Sequence, residues 1–444
     1  MGTRSSDMVR HRSSPAILIL VWLVLLASAR PYRAIAGRPQ SNPAAATAFT
    51  DLHLGLFVHY IHVGKPYQWG STEWADGTVV ASLDELADHF DAENLADTAA
   101  AMRAQYVMFT TWHANMNALF PSKVLQQNLP GHASRRDVIG DLTRALARRG
   151  IRCILYVHPS DGHDLTPEDQ ARVGWNDPAP HTRWNNFIND LVGEVADRYG
   201  KQLAGFYIDG GVPRQVDAAR LRKTILSRMP DAWIIQNSGL NRAIADYAAH
   251  ERMEPPYPAT TWIRCQTITD EWWARKATLQ WSPELAYRYT VLQASLQGRL
   301  GGGVAWSVGP HPDGRWELGV PSFAVRLGEL MDRAGDSILG TRPSKAFPTT
   351  PIKPGSNSGP PLAGLRFAAT ESAEGRTTFI HCFLPPKGQS LELPPTADGR
   401  KFAKARLLPK GTRLTLESTP TGLLVTLPKG ARWDDVDTIL RLDE

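Results

Sequence analysis

At 444 residues, 42% hydrophobic and 21% charged, the chain has the composition of a folded protein and length enough for two domains. Its formal net charge of +5 is small for this size, and its Lys and Arg residues are scattered, with nothing longer than pairs such as Arg135-Arg136 and Arg148-Arg149. That favours a solvated, mixed surface over a polybasic one of the kind that binds nucleic acid or anionic membranes.

The N-terminus carries Arg4, Arg10 and Arg12, then the apolar run 16–29 (AILILVWLVLLASA), then Arg30-Pro31. A charged start, an apolar segment short for a membrane span, and small residues at Ala27-Ser28-Ala29 or Ala34-Ile35-Ala36 predict a signal peptide and processing region over 1–36. The protein is then expected to be secreted or periplasmic, with no stable membrane anchor after cleavage; an uncleaved anchor is the competing reading. Cys153, Cys265 and Cys382 each lie in or beside an apolar segment, which suits buried free thiols better than a disulfide framework.

From about residue 48 to 342, helix-like and strand-like segments alternate. Helices are expected over 94–103, 137–149, 183–199, 216–228, 283–300 and 322–338, each amphipathic or rich in Ala and Leu. Between them lie short apolar runs at 54–60, 106–113, 152–158, 205–209, 232–236, 261–268 and 304–308. Alternation over this length predicts parallel strands with crossover helices, and a closed (β/α)8 barrel is the usual solution. A doubly wound open sheet is the alternative, although no GxGxxG follows the first strand. The proline-rich stretch 343–361 reads as a linker. Beyond it, short alternating runs separated by turn signals predict a small antiparallel β-sandwich over 362–444.

Chemistry concentrates at the ends of the barrel strands. The run Gly205-Phe206-Tyr207-Ile208-Asp209-Gly210-Gly211 ends on a carboxylate followed by glycines that let a ligand approach closely. Other strands end near His59, near Trp112 and His113, and near Tyr156 and His158. A carboxylate among His, Trp and Tyr suits a polar ring with an apolar face, such as a sugar. Hydrolysis of a glycoside requires a second carboxyl group, because one group cannot both protonate the leaving oxygen and stabilise the cationic transition state. Glu251, Glu254, Asp270 and Glu271 are the candidates, and the prolines after Glu254 place the first two in a site loop. His59 and His62 share a spacing of three without a matching acidic partner, which favours hydroxyl binding or packing over a metal. Of the many tryptophans, Trp74 and Trp112 are expected to contact the sugar.

Several strings carry a family resemblance. Gly55-Leu56-Phe57-Val58-His59 is similar to GLFIHWG, Ser71-Thr72-Glu73-Trp74 to an EWY segment, Thr110-Thr111-Trp112-His113 to TTKHHDG, and Phe206-Tyr207-Ile208-Asp209-Gly210 to WFDG. Asn241-Arg242 and the stretch 246–251 resemble NxR and DYxTPE, the stretch 302–314 resembles GGNLLLNVGPxPDG, and Ile338-Leu339-Gly340-Thr341-Arg342-Pro343 resembles IYGTRP. On these strings the chain resembles the retaining α-L-fucosidases of glycoside hydrolase family 29, over nearly all of its length after the leader. The resemblance implies a glycoside or glycan substrate, no metal or organic cofactor, Asp209 as nucleophile and Glu251 as acid/base with Glu254 behind it. It implies His59, Glu73, Trp74, His113, Tyr156 and Arg242 as sugar-binding groups, with Trp112 and Tyr207 beside them. The chain departs from the family at Ala114, Asn115-Met116, Tyr207, Ile263 and Val304. Those departures bear on which sugar is bound, and a carbohydrate-binding relative without turnover is the alternative.

Overall fold

The computed structural model describes residues 49–64, 70–210, 214–237, 240–252, 262–297, 301–350, 362 and 364–444. The expected leader, Glu254 and residues 351–361 of the proline-rich stretch lie outside the described residues. Eight strands run parallel: β1 (Leu54–Val58), β2 (Tyr106–Thr110), β3 (Arg152–Val157), β4 (Leu203–Ile208), β5 (Trp233–Asn237), β6 (Tyr247–Glu251), β7 (Trp262–Thr267) and β8 (Gly301–Ser307). β8 pairs with β1, Leu56 opposite Trp306, so the sheet closes on itself as a barrel and the open doubly wound alternative is excluded.

The crossover helices form where apolar periodicity meets a capping side chain. Asp91, Asp137 and Asp217 accept the amides of Asn94, Gly140 and Arg220, starting the helices Ala92–Ala101, Val138–Arg148 and Ala218–Leu226. Ser282 caps Pro283–Leu296, whose proline occupies the first turn, where no intrahelical N–H is needed. The longest helix among the described residues, Thr182–Tyr199, buries Trp184, Phe187, Ile188, Leu191, Val192 and Val195. Three short helices, Leu83–Asp88, Lys123–Asn128 and Pro167–Val173, lie in loops whose apolar periodicity is too brief to announce them.

Inside the barrel the period-2 rule selects one residue in two. Phe57, Met108, Ile154, Tyr156, Tyr207, Ile235, Ala249, Cys265 and Ala305 form the interior cluster. At the end where the strands begin, Phe49 fills the base, its ring 6.2 Å from Tyr106, 5.3 Å from Trp233 and 4.5 Å from Tyr247. Gly55 leaves room for the Tyr106 ring, which a Cβ there would meet at 2.2 Å. All three cysteines are buried and unpaired.

The C-terminal part folds as two antiparallel sheets, one of six strands and one of three. Their facing sides bury Ala369, Ile380, Leu391, Leu393, Val425, Leu440 and Leu442. The six-stranded sheet takes in Arg342–Pro343, which pairs with Phe367–Glu371, so the stretch after the last barrel helix begins as an edge strand. A buried polar knot ties this sandwich to helix Pro283–Leu296: Tyr287 Oη donates to Asp437 Oδ2 at 2.7 Å, and His381 Nδ1 meets the same oxygen at 2.7 Å. His381 Nε2 reaches Ser337 O at 3.2 Å.

Candidate active site

The alternation that fills the barrel also builds the site. Two residues beyond inward-facing Phe57, Tyr156, Tyr207, Ile235 and Ala249 stand His59, His158, Asp209, Asn237 and Glu251, at the strands' C-terminal ends. Asp209 is fixed from three directions. Tyr156 Oη donates to its Oδ2 at 2.6 Å, while Asn237 Nδ2 and its own neighbour's Gly210 N–H each donate to Oδ1 at 2.7 Å. Burial acts to raise the Asp209 pKa, but the charge of His158 and the bonds from Tyr156 and Asn237 outweigh it. The carboxyl is therefore held below its ordinary value and stays ionised.

Glu251 has the opposite character. Its Oε1 accepts from Tyr207 Oη at 2.8 Å, and the Asn237 amide also serves it, so Asn237 stands between the two acids. Burial, then the negative charge of Asp209, push the Glu251 carboxyl up to about 7, against the pull of Tyr207, Asn237 and Arg252. One acid is poised to give a proton while the other keeps its charge. Glu251 ends strand β6 and does not lie in a loop as its neighbouring prolines suggested, because Tyr247–Glu251 pairs in register with both β5 and β7.

The histidines divide in the same way. Burial, then the neighbouring His113, lower His59 to about 3, and burial likewise lowers His113, so both are neutral at ordinary pH. They face each other with ring centroids 6.0 Å apart, and His113 stacks on Tyr156 at 5.3 Å. His158 is instead cationic. Burial acts to lower it, yet the charge and hydrogen bond of Asp161, followed by Asp209 and Asp164, push it up to about 9.

Not every expected group reaches the centre. Trp112 has none of its surface exposed, and its Nε1–H donates to His158 O at 3.2 Å, so it braces the wall from behind and offers no face to a ring. Tyr156 and Tyr207 are also fully buried and act on the acids through their hydroxyls. Trp74 is partly buried and set edge-on to His89 at 5.0 Å. Glu73 lies 3.7 Å from Arg275 Nε, and its carbonyl meets His311 Nδ1 at 2.7 Å. Arg242 is exposed and donates to Asp246 O at 3.2 Å, which keeps it on the β5–β6 loop. Asp270 accepts from Thr278 N at 2.8 Å and Glu271 lies 3.9 Å from Arg275, so both serve the rim.

Three site groups were not singled out from sequence. Asn237 is reached by carrying the Trp233, Ile235 alternation one step further. His158 stands at a strand tip that the sequence reading named without giving it a role. Trp272 approaches His59 at 5.4 Å and takes the Arg252 guanidinium on its face at 5.0 Å, a pairing no local pattern announces. Among the described residues, Asp161, His163 and Asp164 place donor atoms within 4.8 Å of one another. Asp161 is already paired with His158 at 2.7 Å and Asp164 with His163 at 2.8 Å, so those charges are met internally.

A closed (β/α)8 barrel with one carboxyl driven up and a second held low at its C-terminal mouth is the arrangement of a glycoside hydrolase. Comparison with known proteins gives the family. The α-L-fucosidase family profile matches residues 84–336, more than half of the chain. Tissue α-L-fucosidase of Bos taurus is 26% identical over 341 residues, 66% of this chain and 69% of the relative. A putative α-L-fucosidase of Caenorhabditis elegans is 24% identical over 337 residues, 66% of this chain and 67% of the relative. Among solved structures, an α-L-fucosidase of glycoside hydrolase family 29 from Bacteroides thetaiotaomicron superposes with a TM-score of 0.67 at 21% identity, covering 92% of this chain and 96% of that one. The Thermotoga maritima α-fucosidase in complex with a mechanism-based inhibitor gives 0.65 at 19% identity, covering 89% and 96%. The chain belongs to the α-L-fucosidase family.

Proposed function

We propose that the protein is an exported, retaining exo-glycosidase that removes terminal α-L-fucosyl residues from glycans. The observation that carries this reading is the division of protonation between Asp209 and Glu251 about the shared Asn237 amide. In a double displacement, the Asp209 carboxylate attacks the anomeric carbon and forms a glycosyl ester as the bond to the aglycone oxygen breaks. Glu251 gives that oxygen its proton. Glu251, now ionised, takes a proton from water, and the hydroxide equivalent displaces Asp209 to release the sugar with its configuration kept. Neutral His59 and His113 and the face of Trp272 offer hydroxyl partners and an apolar wall.

Fucose as the sugar rests on the named relatives. Export rests on the charged and apolar N-terminal segment. A relative that only binds carbohydrate would gain nothing from a carboxyl raised beside an ionised one, which favours turnover. The test is hydrolysis of aryl glycosides by the wild type and by Asp209→Gly, with the product anomer followed by NMR. The expected result is α-L-fucose formed first by the wild type alone; first release of the β-anomer, or turnover unchanged in Asp209→Gly, overturns the retaining assignment. N-terminal sequencing of the protein from the culture medium or periplasm tests export, and an intact Met1 there overturns cleavage.

A further inference from the structure

His158 is a buried cation that the mechanism above does not use, and its surroundings are built around it. Its backbone carbonyl accepts from the Trp112 indole at 3.2 Å, which anchors the end of β3. Its Nδ1 meets Oδ1 of the fully buried Asp161 at 2.7 Å, and Ser160 Oγ lies 3.2 Å from the same nitrogen. The other edge of the ring lies against the backbone beside Asp209. A Cβ at position 210 would sit 2.3 Å from His158 Cε1 and 2.6 Å from Nε2, and Gly210 has φ +71°, a conformation that side chains rarely adopt. Ser160 Oγ also donates to Gly210 O at 3.3 Å. Gly210 in turn gives its N–H to Asp209 Oδ1 at 2.7 Å. An unbroken line of contacts thus runs from Asp161 through His158 and Gly210 to the nucleophile.

We propose that His158, clamped by Asp161 and lodged against Gly210, is a positioning residue that aims the Asp209 carboxylate and holds its charge. The proposal rests on the reading of Asp209 as nucleophile and adds to it. Among the described residues these titratable or charged neighbours bear on it: His113 from the β2 end, Tyr156 on β3, Asp161, His163 and Asp164 in the turn that follows, and Asp209 on β4. Four of these are acids or a phenol that favour the imidazolium or lie above its range. His113, withdrawn from water and neutral, does not repel it. His163 projects toward solvent and pairs with Asp164 at 2.8 Å. A cation fixed close to a carboxylate lowers its pKa and favours one orientation of it, and both effects serve in-line attack.

The experiment compares wild type, His158→Gln, Asp161→Asn and His158→Lys in two readouts. The first is the pH profile of kcat and KM for an aryl α-L-fucoside. The second is the 13C NMR titration of the Asp209 carboxylate, assigned by its disappearance in Asp209→Asn, which needs no turnover. Expected are a fall in kcat of tenfold or more with little change in KM, and an acid limb and Asp209 midpoint both raised by about one pH unit in His158→Gln. Asp161→Asn moves in the same direction by less, and His158→Lys restores the midpoint while leaving kcat low, because its charge returns without the packing on Gly210. An unchanged Asp209 midpoint and kcat in a folded His158→Gln protein overturn the proposal. If the wild type hydrolyses no α-L-fucoside, the functional reading fails and the carboxylate titration still decides the role of His158.

Discussion

Two buried groups in this protein are made from the same three side chains, and they do opposite things. At the barrel mouth Asp209 is held by Tyr156 with His158 close by; between barrel and sandwich Asp437 is held by Tyr287 and His381. In the second, Tyr287 and His381 converge on one oxygen, and His381 spends its other nitrogen on Ser337 O. In the first, Asp209 is partly exposed, a second carboxyl stands beside it across Asn237, and the histidine draws its charge from a different acid, Asp161. Residue type therefore does not separate a working carboxylate from a structural one. What separates them is whether the group is left open on one side and whether a neighbour is driven to the other protonation state.

The largest expected effect that would break the contrast comes from the acids themselves. Asp209→Gly should lower kcat at least about a thousandfold while costing less folding stability than loss of the Asp437 carboxylate, since Asp209 is partly exposed and water can take its place as acceptor for Tyr156 and Asn237. Equal loss of folding stability there would place Asp209 in the structural class. Next, Glu251→Gln should cut hydrolysis of a poor leaving group by about 10²–10⁴-fold and far less for a nitrophenyl leaving group. The sign of its pH dependence follows from the raised carboxyl: proton donation is intact below about 7 and fades as pH rises through it. The variant should lose that basic limb, as a stopped-flow or chromogenic profile would reveal.

Asp437→Ala tests the other network, and should cost about 2–4 kcal/mol by leaving Tyr287 and His381 without their acceptor. Denaturant titration measures this, with kcat per folded molecule expected to stay at the wild-type level. A drop in kcat without a drop in stability would erase the distinction between the two networks. The smallest effect should come from Tyr207→Phe. Its hydroxyl pulls the Glu251 pKa down. Without it the basic limb should move up by less than about one pH unit, while one hydrogen bond lost costs about 1 kcal/mol of stability.

The barrel and sandwich were legible because alternation of period and apolar content is written locally in the chain. Asp209 was legible for the same reason, as a polar tip on a strongly apolar strand. β6 was hidden: Tyr247–Glu251 has only small or polar residues besides its tyrosine, and its strand character comes from pairing on both sides. That is also why Glu251 read as a loop residue. Trp112 misled in the other direction, since an aromatic beside a site residue in sequence points to the opposite side of the strand's end and falls into the core. The roles of Asn237 and His158 depend on which strands become neighbours, and that information is held in the closure of the barrel.

Phe49 gives the barrel's base a consequence for how far the chain can be shortened. Its ring is lodged among Tyr106, Trp233 and Tyr247, and Asp51 two residues later is paired with Arg342 at the entry to the sandwich. Truncation of the chain past Phe49 would take this stopper out of its ring of aromatics. Its loss would uncork the interior cluster to which Tyr156 and Tyr207 belong, so the base of the barrel bears on the two hydroxyls that serve the acids at its mouth.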